Sequence, residues 1–108
     1  MGNTNKLYKV IVSDRATDML MQHVRFMAQV SLQAADKLRA EIIEAAKSLE
    51  NFPERNSWLS DPVLPANKYR KMIISKRYLL IYQRKADAVY IEYVLDCRQD
   101  YQWLLLKY

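Results

Sequence analysis

The sequence predicts an α+β fold: a helical hairpin packed on one face of a small, mostly antiparallel four-stranded sheet, in the order β-α-α-β-β-β-α. Three observations predict it. An alternating opening segment is followed by two helix-period stretches, and the break between them is short enough to force an antiparallel helical pair. The stretch Lys68 to Lys85, KYRKMIISKRYLLIYQRK, holds two runs rich in β-branched and aromatic residues around the tight turn Ser75-Lys76-Arg77. A further strand-like run follows after a two-residue turn at Ala86-Asp87.

Lys6 to Ser13 (KLYKVIVS) alternates well enough for the first strand, with Leu7, Lys9 and Ile11 on one face and Tyr8, Val10 and Val12 on the other. Ser13 or Asp14 then offers an oxygen to cap a helix. That helix runs to about Val30 on a stripe of Ala16, Leu20, Val24, Met27 and Val30. Ser31 caps a second helix to about Leu49, with Leu38, Ile42, Ala45 and Leu49 on its apolar side. Phe52-Pro53 ends it, because proline disfavours helical geometry in the residue before it. Asn51 to Asn67 reads as a long surface connection that packs Trp58 down. The strands of the hairpin are expected over Tyr69 to Ile74 and Tyr78 to Gln83, and the last strand over Val89 to Leu95. The tail Arg98 to Tyr108 predicts a short terminal helix with Asp96 as its cap. Within it, Trp103 and Leu104-Leu105-Leu106 suit either core or a contact surface, core being expected.

At 108 residues the chain is read as one domain over 6–108, large enough to bury a core unaided, with Met1 to Asn5 as tail or cloning residues. A formal charge of +5 suits nucleic acid, ribosome or an acidic protein segment as partner. A lone Cys97 cannot close an internal bridge, and neither a signal-peptide run nor an apolar stretch of the ~20 residues a membrane span needs is visible. A cytoplasmic protein without membrane association is expected. Gly2 is the only glycine, which excludes a phosphate-cradling loop and a glycine-bearing nucleophile turn. The single histidine, His23, sits mid-helix without a cysteine or carboxylate cluster, so a packed or exposed helical side chain is expected rather than a ligand or general base. Cys97 beside Arg98 has either a lowered thiol pKa or, as expected, an ordinary buried place at a strand end. No metal or cofactor is implied.

What remains is basic and aromatic. Seven of the eighteen residues from Lys68 to Lys85 are Lys or Arg, and no acid occurs between Asp61 and Asp87. The candidates for gripping a polyanion are Lys68, Arg70, Lys71, Lys76, Arg77, Arg84, Lys85 and Arg98, with Tyr69, Tyr78, Tyr82, Tyr101 and Tyr108 available for stacking on bases. The same lysines also suit a solvated strand edge that repels edge pairing. Arg98 has two readings as well: its fork of donors can hold a phosphate or acidic side chain, or it can pair with Asp96 or Asp100 and lock the tail.

From Leu7 to about Leu105 the chain resembles the RelE/ParE superfamily of toxins from bacterial toxin–antitoxin systems. The matching pieces are the opening strand and helical hairpin, Leu49-x-x-Phe52-Pro53, Tyr69-Arg70-Lys71-Met72-Ile73-Ile74, Tyr78-Leu79-Leu80-Ile81-Tyr82, and Asp96-Cys97-Arg98-Gln99-Asp100-Tyr101. The resemblance implies one of two activities: RelE-like members cleave messenger RNA on the ribosome without metal, and ParE-like members poison DNA gyrase. It also implies an antitoxin whose acidic-apolar C-terminal segment wraps the helical hairpin and covers the basic sheet face. RNA cleavage of the RelE type needs cations around the scissile phosphate. By resemblance these fall at Arg70, Met72, Leu79 and Arg98, so two of the four positions are apolar. A catalytic set would therefore have to be Arg70, Lys71 and Arg98 with Tyr101 or Tyr108. Losing transition-state contacts at several kcal/mol each turns the expectation toward a ParE-like toxin acting on gyrase or another macromolecule by binding. The ribosome-dependent endoribonuclease is the alternative, and a basic binding module or inactive toxin the third reading.

Overall fold

The computed structural model describes residues 7–60 and 64–98. The chain runs β1 (Lys9–Val12), α1 (Asp14–Ala28), α2 (Leu32–Ser48), a 3-10 turn (Pro53–Arg55), β2 (Arg70–Ile74), β3 (Tyr78–Lys85) and β4 (Ala88–Asp96). The strands form one mixed sheet in the order β1-β4-β3-β2. The β2–β3 and β3–β4 pairs are antiparallel, and β1 lies parallel to β4. The order of elements is the one expected, up to the terminal helix, which falls beyond Arg98 and outside the described residues.

Both helix starts follow from their serines. The Ser13 hydroxyl accepts from the Ala16 N–H at 3.0 Å, and that of Ser31 from the Ala34 N–H at 3.1 Å. Each bond satisfies one of the orphan donors of a first turn. The end of α2 is closed by a residue the periodicity does not reveal. Arg55 donates from Nη1 to the carbonyls of Asn51 (2.6 Å), Phe52 and Ser48, and from Nη2 to the Ser48 hydroxyl at 2.8 Å. Phe52 reverses the chain at φ 46°, an unusual conformation for an aromatic residue, and leaves its ring largely in solvent.

One face of the sheet packs on the helices. Ile74, Tyr78, Leu80, Tyr82, Val89, Ile91 and Val94 meet Ala16, Leu38, Ile42 and Leu49 in the main core. The sequence leaves the opposite face free for work, and the structure corrects that. Leu79, Ile81, Tyr93 and Leu95 form a second buried cluster there with Leu59 from the long connection, and Tyr69 and Leu64 pack beside it. Burial on both faces explains why β3 reads as a continuous apolar run from Tyr78 to Tyr82 rather than an alternating one. Trp58 is also not packed down: it remains 40% exposed, and its neighbour Leu59 takes the buried place.

β1 is shorter than β4, and α1 finishes the edge that β1 leaves uncovered. The pairing skips Glu92, because Tyr82 faces Ile91 while Ile81 faces Tyr93. This bulge turns the Glu92 carbonyl toward Ser13 Oγ and Arg15 Nε, each 3.4 Å away. Two turns further along α1, His23 Nε2 lies 2.8 Å from the Val94 carbonyl, and its ring is tilted against Tyr78. A carbonyl can only accept, so Nε2 carries the proton. The single histidine closes a sheet edge, in keeping with the packed helical role expected for it.

Candidate functional site

The β2–β3 hairpin is joined by a turn in which Ser75 and Lys76 both have positive φ, 54° and 60°, closed by Arg77 N–H to the Ile74 carbonyl at 3.2 Å. Positive φ at both central residues is what the right-handed twist of a two-stranded hairpin selects, although Asn-Gly satisfies it more easily than Ser-Lys. The Ser75 hydroxyl donates to Glu41 of α2 at 2.9 Å and anchors the turn to the helices.

The register divides the cations of the hairpin instead of gathering them. Arg70 pairs with Tyr82 and Arg84 with Val89, which places both arginines on the helix side of the sheet. Lys71 and Lys85 project from the other face, and Lys68 precedes β2 with its ammonium 5.2 Å from the Tyr69 ring. Lys76 is exposed at the turn. Arg77 and Arg98 meet at the far end of β4.

Arg70 is committed to structure. Its guanidinium lies 3.6 Å from the centre of the Trp58 ring, and Nη1 donates to the carbonyls of Asn56 at 2.7 Å and Glu54 at 3.2 Å. Two backbone bonds continue the clamp, Leu59 N–H to the Tyr69 carbonyl at 2.7 Å and Lys71 N–H to the Ser57 carbonyl at 3.0 Å. Arg84 holds the same connection through an ion pair with Glu54, and donates to the Ala86 carbonyl at 2.7 Å. Beneath them the buried Tyr82 hydroxyl donates to the Pro53 carbonyl at 2.6 Å and accepts from Asn56 Nδ2 at 3.0 Å. Burial first of all raises the Tyr82 pKa; Asn56, Arg55 and Arg70 pull it down, and Glu54 pushes it up.

At the opposite end, Asp96 gathers two arginines. Arg98 donates Nε to Oδ1 at 3.2 Å and Nη2 to Oδ2 at 3.0 Å, and its backbone N–H reaches Oδ1 at 2.9 Å. Arg77 Nε lies 3.8 Å from Oδ2, buried and without a hydrogen-bond partner. Of the two readings the sequence leaves for Arg98, pairing with Asp96 is the one adopted. The Cys97 N–H donates to the Arg77 carbonyl at 2.6 Å, joining the two strand ends. Cys97 departs from both of its readings: the residue is exposed, and its thiol pKa is raised, by partial burial of the sulfur and then by Asp96. Tyr101 and Tyr108 lie outside the described residues.

The resemblance marks four cationic positions of the RNA-cleaving type, and the structure gives each a place. Arg70 is tied to the connection and Arg98 to Asp96, as above. Met72 packs against the helical core, and Leu79 is buried at 5% exposure in the second cluster. Arg55 is the organising residue that sequence reasoning missed, and Trp58, expected to be packed down, instead carries the Arg70 guanidinium. Asp96, already a candidate partner of Arg98, was legible as a carboxylate two residues before an arginine at a strand end. Among the described residues no His, Cys, Asp and Glu group could hold a metal ion, and no helix is long and apolar enough to cross a membrane.

The family model described as ParE toxin of type II toxin-antitoxin system, parDE, matches residues 10–101. The chain belongs to the ParE toxin family. The solved structure "Chromosomal ParDE TA system from P. aeruginosa" contains a chain 13% identical to this ParE-family protein, superposing with a TM-score of 0.69 over 84% of this chain and 97% of that one. At that identity it shows the shared fold. No curated protein sequence matches the chain. The family model spans β1 to β4 and the segment after Arg98, so the hairpin, the Arg70 clamp and the Asp96 cluster all lie within it.

Proposed function

We propose that this ParE-family toxin inhibits growth by binding DNA gyrase in the cytoplasm as a single domain, without cleaving RNA, and that a cognate antitoxin neutralises it. The observation that carries this reading is the fate of the four cationic positions of the RNA-cleaving arrangement. Two hold apolar side chains engaged in packing, and the other two hold arginines whose forks are bonded to protein acceptors. Metal-free phosphodiester cleavage needs donors already aimed at the phosphate and at the leaving oxygen. An arginine occupied by a carboxylate 3.0 Å away has to exchange that partner before it can serve.

Binding does not require that exchange. Lys68, Lys71, Lys76, Lys85 and the exposed part of Arg98 supply positive charge around an ordered hairpin, suiting either an acidic surface of the target or an acidic-apolar segment of the antitoxin. Controlled expression followed by RNA mapping and microscopy tests the proposal. Filamentation and a DNA-damage response with intact messages support it. Messenger cleavage in translating cells that disappears in Arg98→Ala would assign the chain to the ribosome-dependent endoribonucleases. Unaffected growth at good expression would leave a basic binding module or an inactive toxin.

A further inference from the structure

The turn that closes α2 holds an aromatic residue where a glycine or an asparagine fits better. Phe52 has φ 46° and ψ 59°, a left-handed backbone that a bulky side chain disfavours and glycine adopts freely. Pro53 opposes it too, since the residue before a proline prefers an extended backbone. The fold needs the turn itself, which carries Pro53 inward to full burial, with its carbonyl accepting from the Tyr82 hydroxyl. That explains the backbone of Phe52 but not its ring, which is 70% exposed and gains little from the core.

The backbone beneath the ring is fixed. The Arg55 fork bonds the Ser48, Asn51 and Phe52 carbonyls, and the Arg55 N–H adds a bond of 3.0 Å to the Phe52 carbonyl. The Tyr8 N–H donates to the Glu50 carbonyl at 2.9 Å, which ties this end of α2 to the start of β1. Leu7, 64% exposed, precedes that bond and adds a second apolar side chain. Arg55 is bonded to neutral acceptors, and Lys47 is exposed in the last turn of α2; neither has a carboxylate partner among the described residues. Of the acids flanking Phe52, Glu54 is paired with Arg84, which leaves Glu50 against two cations.

We propose that Phe52 is a preformed anchor for the target, its ring entering an apolar pocket of gyrase whose rim carries a carboxylate for Arg55; the proposal rests on the gyrase reading given above. An aromatic side chain already held in place loses little freedom on binding, and such anchors supply most of the affinity of an interface. That rigidity suits a folded partner with a formed pocket. The antitoxin segment orders as it binds and needs no anchor fixed in advance. A second copy of the chain is disfavoured, because pairing about Phe52 would bring two Arg55 and two Lys47 together. Phe52 and Leu7 also fall well short of the ~800 Å² a side that a stable pair buries.

Phe52→Gly and Phe52→Asn test this, because both residues accept the left-handed turn and both remove the ring. Each should melt at or above the wild-type temperature by circular dichroism. In a supercoiling assay with purified gyrase, each should require about tenfold or more protein for half-inhibition, while its affinity for the antitoxin stays within about twofold of wild type. Inhibition of gyrase by both variants at wild-type concentrations overturns the proposal. So does a melting temperature several degrees lower, which would make the ring part of the fold, or an equal loss of affinity toward the antitoxin. Gyrase left undisturbed by the wild-type chain refutes the underlying gyrase reading and the anchor with it, and is distinguishable because it precedes any comparison of variants.

Discussion

Replacing Arg70 separates a structural arginine from one that grips a ligand. In Arg70→Ala the stack on Trp58, 3.6 Å from the ring centre, is lost, which at a half-exposed site is worth about 0.5–1 kcal/mol. The two carbonyl contacts come from a single Nη1, at 2.7 and 3.2 Å, and together count as about one charge-assisted bond of ~2 kcal/mol. Freeing the side chain returns roughly 0.5–1 kcal/mol of rotamer entropy. The net expectation is a loss of about 2 kcal/mol. Arg70→Lys retains one donor and the charge but not the planar stack, so it should lose about 1 kcal/mol. Urea unfolding monitored by tryptophan fluorescence reads both values, as a lowered midpoint at an unchanged slope. The Leu59 amide, bonded to the Tyr69 carbonyl inside the clamp, should exchange faster in both variants. Growth inhibition by either variant should track its folded fraction. The reasoning fails if Arg70→Ala keeps the wild-type unfolding midpoint while abolishing growth inhibition, since that is the signature of an arginine reserved for a partner.

Three further substitutions follow from the same packing. Tyr82→Phe leaves the Pro53 carbonyl and the Asn56 amide without their partner and should cost about 1–2 kcal/mol by urea unfolding. The Tyr82 pKa is raised in the folded chain, so its contribution is complete below about pH 10 and is lost as pH climbs from there through the folded value; Tyr82→Phe should flatten that alkaline decline in a pH series of melting temperatures. Lys76→Gly relieves a left-handed residue in the hairpin turn and should raise stability by about 1 kcal/mol, while any other outcome of the melt implies that Lys76 is held by more than its backbone. Asp96→Asn keeps the shape of the side chain but removes the charge that gathers Arg77 and Arg98. With Arg98 more than half exposed, the loss is discounted to about 2 kcal/mol, and it should shrink in an Arg98→Ala background if the two residues are coupled.

The fold was readable because its signals are local. Serines cap both helices, the apolar stripe of Leu38, Ile42 and Leu49 repeats at helical spacing, and a basic turn separates two β-rich runs. The sheet order was not readable in the same way: the parallel seating of β1 on β4 pairs residues some eighty positions apart, and no local pattern specifies it. The free working face was misjudged because an apolar run such as Leu79-Leu80-Ile81 reads alike for a strand buried on one face or on two. The cations from Lys68 to Lys85 read in sequence as candidates for one polyanion grip, yet side chains alternate along a strand, so Arg70 and Lys71 point to opposite faces although adjacent in sequence. The commitment of Arg70 to Trp58, and of Arg98 to Asp96, depends on how the connection folds back and how the strand ends converge. Only the second left a trace in the sequence, the Asp96-x-Arg98 spacing.

A supercoiling assay with purified gyrase, relaxed plasmid and the purified chain tests the central claim most directly. The account predicts dose-dependent inhibition of supercoiling, or accumulation of linearised plasmid when the enzyme–DNA complex is trapped, reversed by the antitoxin. Undisturbed gyrase at all concentrations, together with codon-dependent cleavage of messenger RNA when the same preparation is added to translating ribosomes, would contradict it.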